Sequence, residues 1–381
     1  MYETEVSPRF RSGPTLPGLI MPPAPKNILL LKGHSAGIGD LLRGSAAWAA
    51  LRNQYPGVRL HLAFVSQEPG YASEEFIRRH HLLQSLSVYP KWRNTWWNWR
   101  MAVRWLTTLI DETGSDLLID LDTPGLRSAA LCFAARLRTG IRTVGIADWP
   151  GRGLFYNLAA PSRLRYAARN GIQPPLEYSE LGFVALAALG IRRGNRPVEL
   201  QETTEATTFR ETFRDRFTIP ANVPIVGINI GCGTPGADLR RPDADLIERL
   251  IGWLQSVHGC AVVLTGAPFE SETNRQILGR LAGKPGPPRV DAAGETRLIE
   301  LPGLIRACDL FISSDSGPYH MSVALQVPTV ALFNFEYPLA VHRHPWVRCI
   351  VCPGPEGLPE VQSAVQDLRE TYPWRGTPRA S

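Results

Sequence analysis

Long apolar runs are missing from this chain. No stretch reaches the roughly 18 residues of a membrane-spanning helix. The first 25 residues hold six prolines and no continuous apolar segment. That excludes a secretory signal peptide and reads as a flexible leader. Cysteine is sparse, six in 381 residues, scattered at positions 132, 232, 260, 308, 349 and 352. A disulfide framework would be denser, so a reducing, cytoplasmic setting is expected. Charge is low as well, 20% of residues, with 41 basic against 35 acidic side chains. The mild excess suits an anionic ligand or surface, but it lacks the dense basic stripe of a nucleic-acid binder. Three catalytic signatures are absent: the GxSxG elbow, HExxH and the P-loop. Gly33, Gly37 and Gly39 do not have GxGxxG spacing. Cys349 and Cys352 form a lone CxxC that would need more ligands to hold a metal, with His342, His344 and Cys308 as candidates.

What is present is globular. Hydrophobic residues make up 44% of the chain, which excludes a disordered chain, a coiled coil and a collagen-like fibre. The 34 glycines and 33 prolines promise many turns. The length suits two domains. From Lys26 onward, short apolar runs alternate with helical patterns. Strands are expected at 27–31, 58–65, 116–120 and 139–146, with a helix at 40–54. The second half repeats the grammar, with strands at 224–231, 260–265, 309–314 and 328–334. Helices are expected at 270–281, 298–307 and 359–372, and one capped by Asp243 has Leu246, Leu250, Trp253, Leu254 and Val257 on its apolar face. This βαβ alternation predicts two doubly wound α/β domains, with ligands at the carboxyl ends of the strands. The stretch from about 190 to 223 is polar and weakly periodic, and the junction is placed there. The expected division is a Pro-rich leader (1–25), an N-terminal acceptor-binding domain (26–200), a C-terminal donor-binding domain (201–352) and a helix with tail (353–381).

Four constellations bear on chemistry. Ser313-Ser314-Asp315-Ser316-Gly317-Pro318-Tyr319-His320 follows a strand and opens a helix. Either it is a capped helix with a surface histidine, or its free N–H groups form an anion site within reach of His320. Gly231-Cys232-Gly233-Thr234-Pro235-Gly236, followed by Arg240 and Arg241, is either an ordinary turn or a phosphate loop served by a guanidinium fork. Gly37-Ile38-Gly39-Asp40 offers a carboxylate at a loop mouth, either an N-cap or a general base. Lys32 and His34 line that loop and are placed to orient an anionic acceptor. Lastly, segment 91–100 packs four tryptophans among three cations. It suits a membrane interface, sugar stacking, a cover over an opening, or plain core packing.

At these residues the chain resembles the bacterial lipopolysaccharide heptosyltransferases, from about Lys26 to His342. The shared marks are Asn27–Leu31 before Gly39-Asp40, Val226-Gly227-Ile228-Asn229 with Gly231, Val263 to Pro268, Ala293-Gly294-Glu295-Thr296, and Asp315-Ser316-Gly317-Pro318 with His320. The resemblance implies a GT-B fold, two Rossmann-like domains facing a central cleft. It implies inverting, metal-independent and cofactor-free transfer from a nucleoside diphosphate sugar, ADP-heptose favoured, to a glycan or lipid-linked glycan acceptor. Asp40 would be the base. Gly231, Cys232, Gly233, Thr234, Arg240, Gly266, Ala267, Pro268, Glu270, Asp315, Ser316, Gly317 and His320 would hold the donor, with Glu270 on the ribose. Lys32, His34 and Gly39 would face the acceptor. Such a protein would work in the cytoplasm or peripherally on the inner membrane face, without nucleic acid. The family's usual Lys and Trp-Pro are replaced here by Leu239-Arg240-Arg241-Pro242, and its Gly-Pro-Thr by Asn334-Phe335-Glu336. A divergent transferase with another donor or acceptor, or a silent nucleotide-sugar binder, is the alternative.

Overall fold

The computed structural model describes residues 24–33, 37–66, 72–90, 96–122, 125–231, 237–336, 339–352 and 354–375. Their strands form two six-stranded, all-parallel sheets. The first contains β1 (Asn27–Gly33), β2 (Arg59–Ser66), β3 (Ser85–Pro90), β4 (Leu117–Asp120), β5 (Arg142–Ile146) and β6 (Leu158–Ala160). Their order is β3-β2-β1-β4-β5-β6. The second contains β7 (Ile225–Asn229), β8 (Ala261–Thr265), β9 (Arg289–Asp291), β10 (Leu310–Ser314), β11 (Thr329–Phe333) and β12 (Val347–Val351). Its order, β9-β8-β7-β10-β11-β12, is the same topology repeated. In each sheet the winding reverses beside the first strand, and ligand crevices form at that point. The register brings Leu31 beside Asp120 and Ser313 beside Asn229.

The central strands are buried on both faces, as helices on either side of a parallel sheet require. One apolar cluster includes Ile28 and Trp48 of the first half, Phe183 and Phe213 between, and Phe311 and Val347 of the second. A second cluster fills the other face of the second sheet, where the helix Leu358–Thr371 adds Val361, Val365 and Leu368.

Two expectations need correction, and one stretch proves to hold a helix. The helix expected over 40–54 is two helices, Ile38–Leu42 and Ser45–Gln54. The break comes at Arg43-Gly44, where glycine is a poor helix former. The polar stretch 190–223 contains the helix Thr204–Arg216, capped by the Thr203 hydroxyl. Its apolar stripe is narrow, only Ala206, Phe209 and Phe213. In the helix Ala244–His258, Val257 is exposed, and the buried face runs through Leu246, Ile247, Leu250, Ile251 and Leu254. Among the described residues, no helix is long and apolar enough to cross a membrane.

Candidate active site

The second half presents its strand ends first. After β7 the chain reaches Gly231, whose carbonyl accepts from the Ser314 hydroxyl and from Asn229 Nδ2, each at 2.8 Å. Asn229 Nδ2 also donates to Ser316 Oγ at 3.0 Å. The helix Gly317–Ala324 opens directly after Ser316. Ser316 stands at the capping position, but its side chain makes no capping hydrogen bond to the first turn. Its hydroxyl instead donates sideways to the Ser314 carbonyl at 3.2 Å. Pro318 has no N–H, so the Gly317 and Tyr319 amides carry the positive end of the helix without a cap from the Ser316 side chain. Arg240 Nη1 stands 3.4 Å from Asp315 Oδ2. Burial raises the Asp315 pKa, and Arg240 opposes that rise. Asn334 Nδ2 donates to the carbonyls of Leu239 and Arg241, at 2.9 and 2.7 Å, and so pins the turn that carries Arg240.

Beside this lies a carboxylate in a glycine-walled slot. Glu270 Oε2 accepts the Ala267 N–H at 2.7 Å. Glu270 Oε1 is buried with no hydrogen-bond partner among the described residues. A Cβ on Gly231 would overlap that carboxylate, and one on Gly266 would come within 2.8 Å of it. Both positions therefore require glycine while Glu270 holds this place.

The first half supplies the opposite wall. The short helix Ile38–Leu42 follows β1 and its loop, and it carries Asp40 with its side chain one-third exposed. Arg43, at the end of that helix, is buried. Its Nη1 lies 3.4 Å from Asp40 Oδ1, its Nη2 lies 2.7 Å from His320 Nε2, and its plane sits 4.6 Å from the Tyr178 ring. His320 Nδ1 in turn lies 2.9 Å from His342 Nε2. The two halves thus touch through their helix starts. Ile38 packs on Gly317, and Gly39 sits so close to the His320 ring that a Cβ would overlap it. Burial drives the pKa of both His320 and His342 well below the usual range, and the Arg43 charge adds to the effect. Lys32 ends β1, and burial lowers its pKa against the pull of Asp40 and Asp122.

The structure therefore gathers Asp40, Gly39, Lys32, Gly231, Arg240, Gly266, Ala267, Pro268, Glu270, Asp315, Ser316, Gly317 and His320 around the carboxyl ends of β1, β7, β8 and β10. His34, Cys232, Gly233 and Thr234 lie outside the described residues. Sequence reading passed over Arg43, Asn334 and Tyr178. A charged residue three positions after Asp40 was the available signal for Arg43. The CxxC does not form a paired metal site. Alternation along β12 sends Cys349 to the cluster shared by both halves and Cys352 to the opposite face of the sheet. No group of three or more His, Cys, Asp or Glu side chains suited to a metal occurs among the described residues. Of the tryptophan-rich segment, Trp99 packs against the first sheet's core from the helix Trp96–Thr113. Trp92 and the side chains of Trp96 and Trp97 lie outside the described residues.

Residues 208–354 match the family model for glycosyltransferase family 9 (heptosyltransferase). The matched segment holds 147 of the 381 residues and includes the strands of the second sheet. The chain is 32% identical to lipopolysaccharide heptosyltransferase 2 of Salmonella typhimurium over 129 residues, 32% of this chain and 34% of that protein. The match thus spans about a third of that curated relative's length. A longer match joins both halves. Lipopolysaccharide core heptosyltransferase OpsX of Haemophilus influenzae is 22% identical over 320 residues, 83% of this chain and 81% of that one. The solved structure of the Escherichia coli ADP-heptose lps heptosyltransferase II superposes with a TM-score of 0.60 at 20% identity. It covers 91% of this chain and 99% of that one. The chain thus has a GT-B fold, as the resemblance implied.

Proposed function

We propose that this protein is an inverting glycosyltransferase that moves a sugar from a nucleoside diphosphate sugar to a glycan hydroxyl. ADP-heptose is the favoured donor and lipopolysaccharide core, or a related lipid-linked glycan, the favoured acceptor. One observation carries the reading. Asp40, a carboxylate of the first half, stands on the short helix whose Ile38 packs on Gly317, where a helix of the second half opens without a cap from the Ser316 side chain. The family 9 match supports the class, and the names of the relatives support the sugar.

The chemistry follows from where charge develops. As the glycosidic bond breaks, the leaving diphosphate gains negative charge. The amides at Gly317 and the Arg240 guanidinium would meet that charge more strongly in the transition state than before it. The Glu270 Oε1 atom, buried and unpartnered among the described residues, would accept a ribose hydroxyl. Asp40 would take the acceptor's proton as its oxygen attacks the far face of the anomeric carbon, inverting the centre. The charge is met by side chains and amides, so this route needs no metal. A lipid-linked acceptor would bring the protein to the inner membrane face.

Thermal unfolding with ADP, GDP, UDP and their sugar conjugates tests the donor. A ligand specific for the native state adds about 2.7 kcal/mol at a hundredfold excess over its Kd. Selective stabilisation by ADP or ADP-heptose, with sugar appearing on a lipopolysaccharide-core acceptor, is expected. Selectivity for another base would discard heptose, and no shift with any nucleotide would discard the transferase reading.

A further inference from the structure

The contacts of Arg43 have a direction. A guanidinium only donates, so His320 Nε2, 2.7 Å from Arg43 Nη2, must be the acceptor. A neutral imidazole with an unprotonated Nε2 carries its proton on Nδ1. His320 Nδ1 faces His342 Nε2 at 2.9 Å, so it donates there, and His342 then carries its own proton on Nδ1. His342 Nδ1 is buried with no partner, which ends the chain. Each member is thus fixed in one tautomer, and both rings are neutral. His320 has no second proton to offer the Asp315 carboxylate 3.8 Å away.

From this geometry we propose that Arg43 is the positioning residue for Asp40, and that His320 and His342 form a neutral strut that aims it. The inference rests on the transferase reading for the role of Asp40, but the strut stands on geometry alone. Three restraints hold the guanidinium: Asp40, the Tyr178 face and His320. Two of them lie in the first half of the chain, and the third belongs to the donor half. A base so oriented is complete only when the halves meet. That keeps the carboxylate from being aimed at water in an open cleft. Among the described residues, the charged and titratable groups that act on Asp40 include Arg43 on its own turn, Lys32 from β1 and Asp315 from the donor half.

The test uses the full chain, with histidine labelled in the ring nitrogens and signals assigned by His320→Gln and His342→Gln. Nitrogen NMR in the wild type should show both rings neutral and Nδ1-protonated from about pH 5.5 to 8, the range in which an ordinary histidine titrates. In Arg43→Met, His320 should lose that fixed tautomer or begin to titrate. A charged His320 at pH 7, or an Nε2-protonated ring in the wild type, would overturn the strut. Kinetics test the role. In Arg43→Met, kcat should fall about 100-fold, the cost of a misplaced reacting group, while ADP binding by calorimetry stays within about twofold. Arg43→Lys keeps the charge and most of the packing, and should recover part of kcat. If ADP affinity falls and kcat holds, Arg43 is a donor ligand and the positioning role is wrong. A wild type without transfer would remove the base, and with it the role of Arg43, yet the ring signals would still report the bridge.

Discussion

The two sheets share one topology and use the carboxyl ends of their strands in opposite ways. In the first sheet the crevice at the ends of β4 and β5 is filled by the protein itself. Arg152, fully buried, donates to the Ile146 carbonyl at 2.6 Å, the Asp122 carbonyl at 3.1 Å and Asp120 Oδ2 at 3.3 Å. The Tyr156 hydroxyl donates to the same Asp120 oxygen at 2.6 Å. In the second sheet the ends of β7 and β10, at the reversal point, carry Asn229, Ser313, Ser314 and Ser316 below a helix start that the Ser316 side chain does not cap. A filled crevice has no room for phosphates, whereas in the second sheet the side-chain donors of Asn229, Ser313, Ser314 and Ser316 are turned to protein acceptors, so that an arriving anion would meet the backbone amides at Gly317 and the Arg240 side chain. One fold thus hosts a structural plug in one copy and a candidate donor site in the other, and function follows the site and not the topology.

Breaking the comparison at its sharpest point means removing the proposed base beside the second sheet's strand ends. Asp40→Asn should lower transfer by about 10² to 10⁴-fold, the usual worth of a general base, with ADP affinity unchanged. Initial rates and calorimetry check it, and near-normal turnover would end the assignment. Next comes the plug. Arg152→Met strands Asp120 in the core and should cost about 3–5 kcal/mol in denaturant unfolding. A loss below about 1 kcal/mol would mean that the pair is not the keystone described. Gly231→Ala acts on the open side. Its Cβ overlaps Glu270, so ADP should bind about tenfold more weakly, as loss of one charge-assisted hydrogen bond predicts. Unaltered affinity would detach Glu270 from the ribose. The smallest effect is in pH. Burial lifts Asp120 to about 6, above its unfolded value near 4, so the native state holds that proton more tightly. Its contribution to stability is present in acid, declines as pH rises from about 4 to about 6, and is flat above. Asp120→Asn should remove that decline from the stability profile, and an identical slope in both proteins would place it elsewhere.

The pattern of what the sequence revealed follows burial. The eight inner strands were legible as apolar runs, such as Ile28–Leu31 and Ala261–Leu264, because a strand covered on both faces must be apolar throughout. The four strands that escaped notice, β3, β6, β9 and β12, are the edges of the two sheets. Ser85-Leu-Ser-Val-Tyr-Pro and Arg289-Val-Asp are short or mixed because one side of an edge faces solvent. The site divides in a similar way. Asp40, Gly231, Glu270 and Asp315 follow closely after recognisable strands, so their neighbourhood could be anticipated. Arg43 was hidden inside an expected continuous helix, and only the break at Gly44 and a histidine 277 positions away give it meaning. Asn334 looked like a mere departure from a family pattern until its amide was seen to bind the Arg240 turn.

The apolar cluster that runs from Ile28 to Val347 has a further consequence. A seam of this kind makes the unfolding of either half expose the other's side chains to water. The two sheets should therefore melt as one calorimetric unit, and either half expressed alone should be prone to aggregate.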